Sequence, residues 1–216
     1  MLQKKRNLQL EEGMVMDAQG VIYRQDGDEK ILVKVDDHSP MIKSSVWGVD
    51  CYEIAEGTTK IEQFAFNQCE GLKKVIIPSS VSVMSDYAFS DCSQLKEVVF
   101  EEPASLGYFP EHAFRCCNEL TEIVIPNSVS YISDYAFSFC TNLRKVTIPD
   151  NIGFEKPADY NPSSEREILP LASLGLQFKL LEHALGSLER VMIPADKREL
   201  LEEHWPHLKH LFVNKK

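Results

Sequence analysis

The sequence predicts an α/β repeat protein: a single solenoid domain over residues 1–216 in which each coil adds one short parallel strand and one short helical turn. Three observations carry this expectation. The dipeptide Ala-Phe occurs at Ala65-Phe66, Ala88-Phe89, Ala113-Phe114 and Ala136-Phe137, with the phenylalanines spaced by 23, 25 and 23 residues. A cysteine follows each phenylalanine by three (Cys69, Cys92, Cys117, Cys140), and a leucine follows each cysteine by three (Leu72, Leu95, Leu120, Leu143). Each unit then ends in an apolar pair, Val75/Ile77, Val98/Phe100, Ile123/Ile125 or Val146/Ile148, and Pro78, Pro126 and Pro149 close all but the second. A unit this short cannot bury its own apolar face, whereas stacked copies can.

Residues 1–48 read as an N-terminal cap. Within them GVIYRQDGDEKILVKV suits a hairpin that turns at Asp26–Asp28. The regular repeats fill residues 49–149. Segments such as LKKVIIP and LTEIVIP alternate apolar and variable residues and end in proline, as short strands do. The stretch SDYAFSDC, Ser85 to Cys92, returns as SDYAFSFC, Ser133 to Cys140. Tyr87 and Asp91 are four apart and Ser85 is a candidate N-cap, which predicts one or two helical turns. Each connection returns the chain to the same side, so the strands are parallel, ~4.8 Å apart. The motif phenylalanines and cysteines then form two buried ladders. A segment S-V-x-x-I leads from one unit to the next.

Residues 150–187 read as an irregular loop, EKPADYNPSS, and a degenerate repeat around Glu165–Pro170. Residues 188–216 hold the last repeats, Leu188/Val191/Ile193 and Leu208/Leu211/Val213, with a capping amphipathic helix over Ala195–Trp205 that Pro206 stops. The expected total is about seven to nine strands in one continuous sheet, counted from these matches.

The stretch FAFNQCEGLKKVIIPSSVSVMSDYAFSDCSQLKEVVF resembles the BspA-like leucine-rich repeats, the bacterial type with a 23-residue period. VVFEEPASLGYFPEHAF is similar to that family's longer variant, in which F-x-x replaces the I-P turn, and the N-terminal hairpin resembles the family's opening one. The resemblance covers roughly residues 20–150, with a looser match near 185–213. It implies a right-handed leucine-rich-repeat solenoid with the parallel sheet on its concave face and short helical turns on its convex face. It also implies a binding role, in relatives often attachment to host or neighbouring-cell proteins.

Composition narrows the function. Lys and Arg number 23 against 33 Asp and Glu, a net charge of −10. That argues against a nucleic-acid partner and against an anionic membrane surface. No apolar run approaches the ~18 residues of a membrane span. The first residues lack a secretory pattern, so a cytoplasmic location is expected, with the cell surface as the alternative. None of the common catalytic, phosphate-binding or calcium-binding motifs occurs. The expectation is therefore a non-enzymatic chain without catalytic residues, cofactor or metal.

Six cysteines read as free thiols, the four motif ones acting as small apolar fillers. Cys116 is expected to point outward. Cys51 falls on the strand row facing away from the core and is the foremost candidate for a reactive thiol, though no base is placed beside it. His204, His207 and His210 form a cluster, but Pro206 interrupts the helix between the first two and removes the spacing a metal site needs.

The concave face is the candidate site. The third letter of L-x-x-V-x-I gives a mixed charged row: Cys51, Lys74, Glu97, Glu122, Lys145, Arg190 and His210. The fifth letter gives Glu53, Ile76, Val99, Val124, Thr147, Met192 and Phe212. Lys74, Ile76, Glu97, Val99, Glu122, Val124, Lys145, Thr147, Arg190 and Met192 are the expected partner-binding residues. Branched residues stabilise strand neighbours in any sheet, but a contiguous exposed apolar strip also marks interaction sites. Glu97 and Glu122 should be neighbours, a place for a partner's Lys or Arg. Phe139 replaces Asp91 of the sister phrase and is a candidate exposed aromatic on the convex side, or equally one tucked under the irregular loop after Asp150. The function expected is binding of a protein partner by a monomer or weak homodimer. The alternatives are a surface adhesin and a structural self-associating module.

Overall fold

The computed structural model describes residues 10–36, 39, 41–42, 49–133, 135–153, 188–204 and 206–215. The chain opens on three antiparallel strands, β1 (Met14–Met16), β2 (Val21–Asp26) and β3 (Glu29–Val35). β2 and β3 meet at a two-residue turn in which Gly27 takes φ +60°, a conformation open to glycine at no steric cost. The Asp17 carboxylate accepts the Gln19 and Val21 N–H groups, each at 2.9 Å, and so closes the loop between β1 and β2.

Each regular coil then gives two strands rather than the one that was expected. The L-x-x-V-x-I segments form the main ladder: β4 (Tyr52–Glu53), β6 (Lys74–Ile77), β8 (Glu97–Phe100), β10 (Glu122–Val124), β12 (Lys145–Thr147), β13 (Arg190–Ile193) and β14 (Phe212–Asn214). All its pairings are parallel, and the register follows the repeat: Lys74 opposes Glu97, and Glu122 opposes Lys145. The segment before each Ala-Phe forms a second ladder: β5 (Thr58–Ile61), β7 (Val83–Met84), β9 (Tyr108–Phe109) and β11 (Tyr131–Ile132). β3 pairs parallel with β5, so the hairpin extends this second ladder and covers the first coils.

The core lies between the ladders and the turns. Phe66, Phe89, Phe114 and Phe137 are fully buried and stack nearly parallel, with centroids 4.8, 5.2 and 5.8 Å apart. Tyr52 closes the column at one end, 5.7 Å from Phe66. The Cys69, Cys92, Cys117 and Cys140 side chains are fully buried beside it. Three of these thiols donate to the preceding coil's phenylalanine carbonyl: Cys92 to Phe66 (3.1 Å), Cys117 to Phe89 (3.3 Å) and Cys140 to Phe114 (3.0 Å). The slot thus takes a small apolar group that is also a weak donor.

Four expectations are corrected. First, the Ala-Phe segments are successive turns, not helices. The residues two before and two after each motif phenylalanine sit at φ between 54° and 61°: Phe64 and Gln68, Tyr87 and Asp91, His112 and Cys116, Tyr135 and Phe139. Left-handed residues end any helix. Backbone bonds to the next coil hold them, as in Gln68 N–H to Ser90 O at 2.9 Å and Asp91 N–H to Arg115 O at 2.7 Å. Ser85 caps nothing; its N–H goes to the Ile61 carbonyl.

Second, the main ladder is split. β4, β6 and β8 form one sheet and β10, β12, β13 and β14 another, and β9–β11 is likewise separate from β5–β7. Both breaks fall in the unit whose phenylalanines are 25 rather than 23 residues apart, where the longer connection prevents pairing in register. Third, β12 pairs directly with β13, Val146 facing Val191. β12 and β13 are thus direct neighbours in the ladder. The Glu165–Pro170 unit lies outside the described residues. Fourth, the last strand is shifted by one. Phe212, not Leu211, faces Val191 and is buried, while Val213 stands opposite Met192 and is exposed. A 3-10 helix over Pro206–Leu211 takes up the extra residue.

The C-terminal cap otherwise follows the reading, with a 3-10 turn over Ala195–Lys197 leading into α1 (Arg198–His204). Leu201 is fully buried, and Arg198 ties α1 to the last strand through Asn214 Oδ1 at 3.2 Å.

Two substitutions test this packing by urea unfolding. Phe114→Ala leaves a cavity in the middle of the column and should cost ~3–5 kcal/mol. Gln68→Gly relaxes a left-handed residue on an exposed turn and should stabilise by ~0.5–1 kcal/mol. Loss of stability in the glycine variant would contradict the turn geometry.

Candidate functional site

The strands of the main ladder alternate in the manner a half-buried sheet requires. Val75, Val98, Ile123, Val146 and Val191 point inward and are buried. Their neighbours face out. Val124 is 58% exposed and Val213 41%, while Ile76, Val99, Thr147 and Met192 are half-buried. The apolar strip read from the fifth letter is present, with Val213 in the place expected for Phe212. His210 does not continue the third-letter row; it is exposed on the 3-10 helix. The side chains of His204 and His207 lie outside the described residues. Among the described residues no group of three metal-ligating side chains comes together.

The charged row is internally paired. Lys74 Nζ lies 2.8 Å from Glu97, and Lys145 Nζ 3.3 Å from Glu122. At the N-terminal rim of the strands, Lys73 meets Asp50 at 2.6 Å and Arg144 meets Glu189 at 3.9 Å. The Lys73 ammonium, hydrogen-bonded to Asp50, holds that carboxyl below its usual range. The hydrogen bond to Glu97 pushes the Lys74 ammonium up. Such exposed pairs add little stability, and their effect is to neutralise the carboxylates. The expected like-charge pair is therefore not left open: β8 and β10 do not pair, and Glu97 and Glu122 each turn to a lysine on the far side. Lys96 and Arg190 are exposed and make no ion pair with a described residue.

Cys51 is exposed, as expected, in a shallow open depression with Asp17, Ala18, Gln19, Tyr52 and Glu53. All six cysteines are free thiols, Cys116 partly exposed. Behind the depression runs a buried chain of hydroxyls. Tyr52 donates to Asp17 Oδ2 at 2.5 Å, the Tyr23 and Tyr52 hydroxyls share a bond at 2.5 Å, and Tyr23 accepts the Ala55 N–H at 3.2 Å. This chain fastens the N-terminal hairpin to the first coil. Burial, then the hydrogen bond to Asp17, pushes the Tyr52 phenol up; burial does the same for Tyr23.

A feature of the turn face escaped the sequence reading. Phe64, Tyr87, His112 and Tyr135 stack in a second, partly exposed column, with centroids 5.0, 4.6 and 5.1 Å apart. The signal was available, since the residue two before every motif phenylalanine is a ring. Phe139 is exposed, as anticipated, and Arg115 lies over its ring at 5.4 Å while holding Asp91 at 3.2 Å.

The tyrosine chain gives a pH test. An unfolded chain ionises these phenols near 10.0 whereas the folded one keeps the protons, so the chain's contribution is whole below that pH and is lost as the pH climbs above it. Between about pH 9 and 11 the wild type should lose more of its urea midpoint than Tyr52→Phe does. Parallel losses would contradict the assignment.

Comparison with known proteins agrees with this geometry. No curated protein matches the chain. A leucine rich cell surface protein of Faecalibacterium prausnitzii A2-165 superposes with a TM-score of 0.66 at 20% identity, over 89% of this chain and 42% of that one. The pneumococcal vaccine antigen PcpA superposes with a TM-score of 0.62 at 16% identity, over 94% of this chain and 46% of that one. A leucine-rich repeat protein from Bacteroides ovatus ATCC 8483 gives 0.50 at 18%, over 82% and 46%. The chain thus spans less than half the length of each of these proteins, and at such identities the likeness is one of fold. The model of the BspA type leucine rich repeat region matches residues 49–158 in six copies. Those residues hold the paired ladders, the phenylalanine column and the thiol slot, and the chain belongs to the BspA-type leucine-rich-repeat family.

Proposed function

We propose that this chain is a non-enzymatic protein-binding module that recognises its partner with the outward face of the main ladder. The observation that carries the reading is the strip of Ile76 and Val99 on one sheet and Val124, Thr147 and Met192 on the next, open at the seam, where Val124 is 58% exposed. Apolar side chains held outward on adjoining strands make a contact surface, and the Lys74–Glu97 and Glu122–Lys145 pairs form a polar rim beside it. The regular coils are given over to packing and leave their variety to this face, a division suited to recognition. The description of the Faecalibacterium relative as a cell surface protein supports display at the cell surface, and attachment to a host or neighbouring-cell protein is the use that the family resemblance implies.

The test is a pull-down from cell-surface extracts with wild type and with Ile76→Arg/Val124→Arg, both checked for folding by circular dichroism. A protein recovered by wild type and lost with the double variant is the expected result. The same proteins recovered by both would contradict the assignment of the face.

A further inference from the structure

The two ladders end differently on the N-terminal side of the solenoid. The hairpin continues the second ladder, since β3 pairs with β5. The main ladder stops at β4, whose strand partner is β6. One 23-residue period upstream of Tyr52 and Glu53 stand Glu29 and Lys30, and these lie in β3, between β2 and β5. No described strand therefore continues the main ladder past β4. Its outer edge carries open backbone groups. Alternate residues of a strand in a parallel ladder bond to opposite sides. The Ile54 N–H goes to Ile76 O at 3.0 Å, so the N–H and C=O groups of Glu53, and of Cys51 two residues before it, face away from β6. No described residue bonds them.

The Asp17–Gln19 loop stands beside this edge without pairing to it, tied to β4 by the Tyr52 hydroxyl on Asp17. Between loop and strand lies the open depression, of about 430 Å³. The charged groups that line it are Asp17 and Glu53, both carboxylates. Asp17 already accepts the Gln19 and Val21 N–H groups and the Tyr52 hydroxyl. Glu53 is exposed and in no ion pair among the described residues, and Lys74 on the neighbouring strand is engaged by Glu97 at 2.8 Å.

We infer that the outer edge of β4 is a second binding site, which takes an extended protein segment as an added strand, with a lysine or arginine beside Glu53. The inference goes beyond the proposed use of the outward face: here the backbone of an edge strand makes the contact, not the apolar strip. An open sheet edge offers donors and acceptors that an extended chain completes, and side chains set which chain is accepted. In the added strand, the residue beside Glu53 points outward with it, and its two neighbours point toward the depression. Opposite charges attract at such a cross-strand position and like charges repel. Asp17, Ala18 and Gln19 suit small polar side chains at the two inner positions.

The experiment follows amide shifts and hydrogen exchange by NMR in the isotope-labelled full chain. Three blocked peptides are titrated: Thr-Thr-Lys-Thr-Thr, Thr-Thr-Glu-Thr-Thr, and the lysine peptide with every backbone nitrogen methylated. Threonine favours the extended chain. The lysine peptide should shift the Cys51 and Glu53 amides and slow their exchange. Its affinity should fall as salt rises, and about two- to fivefold in Glu53→Gln. The glutamate peptide should bind more weakly, and the methylated one should give no protection, because its methyl groups stand where strand pairing needs N–H. Equal protection by the lysine and glutamate peptides, protection by the methylated peptide, or no protection by any of them overturns the inference. If both amides are already protected without peptide and lose that protection in Lys4→Glu/Lys5→Glu/Arg6→Glu, the chain's own first residues fill the edge, and a partner strand is overturned. None of these outcomes decides the pull-down, which reads the strip from Ile76 to Met192.

Discussion

The contact on which the solenoid depends is the one between successive Ala-Phe turns. Each motif phenylalanine lies flat on the next, and its N–H bonds the alanine carbonyl of the following coil: Phe66 to Ala88 at 2.7 Å, Phe89 to Ala113 at 2.8 Å and Phe114 to Ala136 at 2.8 Å. Stacking and hydrogen bonding thus demand the same translation from coil to coil. The thiol bonds to the phenylalanine carbonyls repeat that demand within the core. A slot filled by Ala, Phe and Cys in every coil leaves no room for variation, which is why the sequence repeats there and varies on the sheet's outward face. The backbone meets the same demand by holding two residues of each turn in the left-handed region, at a cost of about 1–2 kcal/mol each.

The importance of the turn contact is clearest where the sheets fail. Between β8 and β10, and between β7 and β9, no strand pairing joins the coils among the described residues. The coils remain stacked there through Tyr87, Phe89 and Asp91, whose N–H groups bond Glu111, Ala113 and Arg115, and through the Arg115–Asp91 pair. The break also shapes the outward face of the main ladder. It leaves Glu97 and Glu122 to pair away from each other, and it places Lys96 and Val124 at the seam. A connection lengthened by two residues thereby alters both the ladder and the charge pattern on its face.

Much of this was legible in the sequence, because close packing at a repeated slot imposes residue identity. The phenylalanine column, the buried cysteines, the inward and outward rows of the main ladder, the Gly27 turn and the capping helix all follow from residue type and spacing. The parts that were not legible depend on backbone geometry that residue type does not encode. Tyr87, Tyr135, Gln68 and Cys116 are not residues that announce a left-handed turn, and four-residue spacing around Ala-Phe fits a helical turn equally well. Strands of two residues, such as Val83–Met84, are too short to show alternation, so the second ladder was hidden. The one-residue shift at Phe212 follows from a 3-10 helix whose rise the repeat pattern does not carry. The ion pairs that occupy Glu97 and Glu122 depend on which neighbour each lysine reaches, and that is fixed by register.

The most direct test of the stacked turns as the common support is native-state hydrogen exchange at single amides. The Phe89 and Asp91 amides, which join coils across the broken ladders, should exchange as slowly as those of Phe66 and Phe114, where the ladders are intact. Rapid exchange at Phe89 and Asp91 beside slow exchange at Phe66 would show that the coils part at the seam, and that strand pairing, not the aromatic turn, holds the solenoid together.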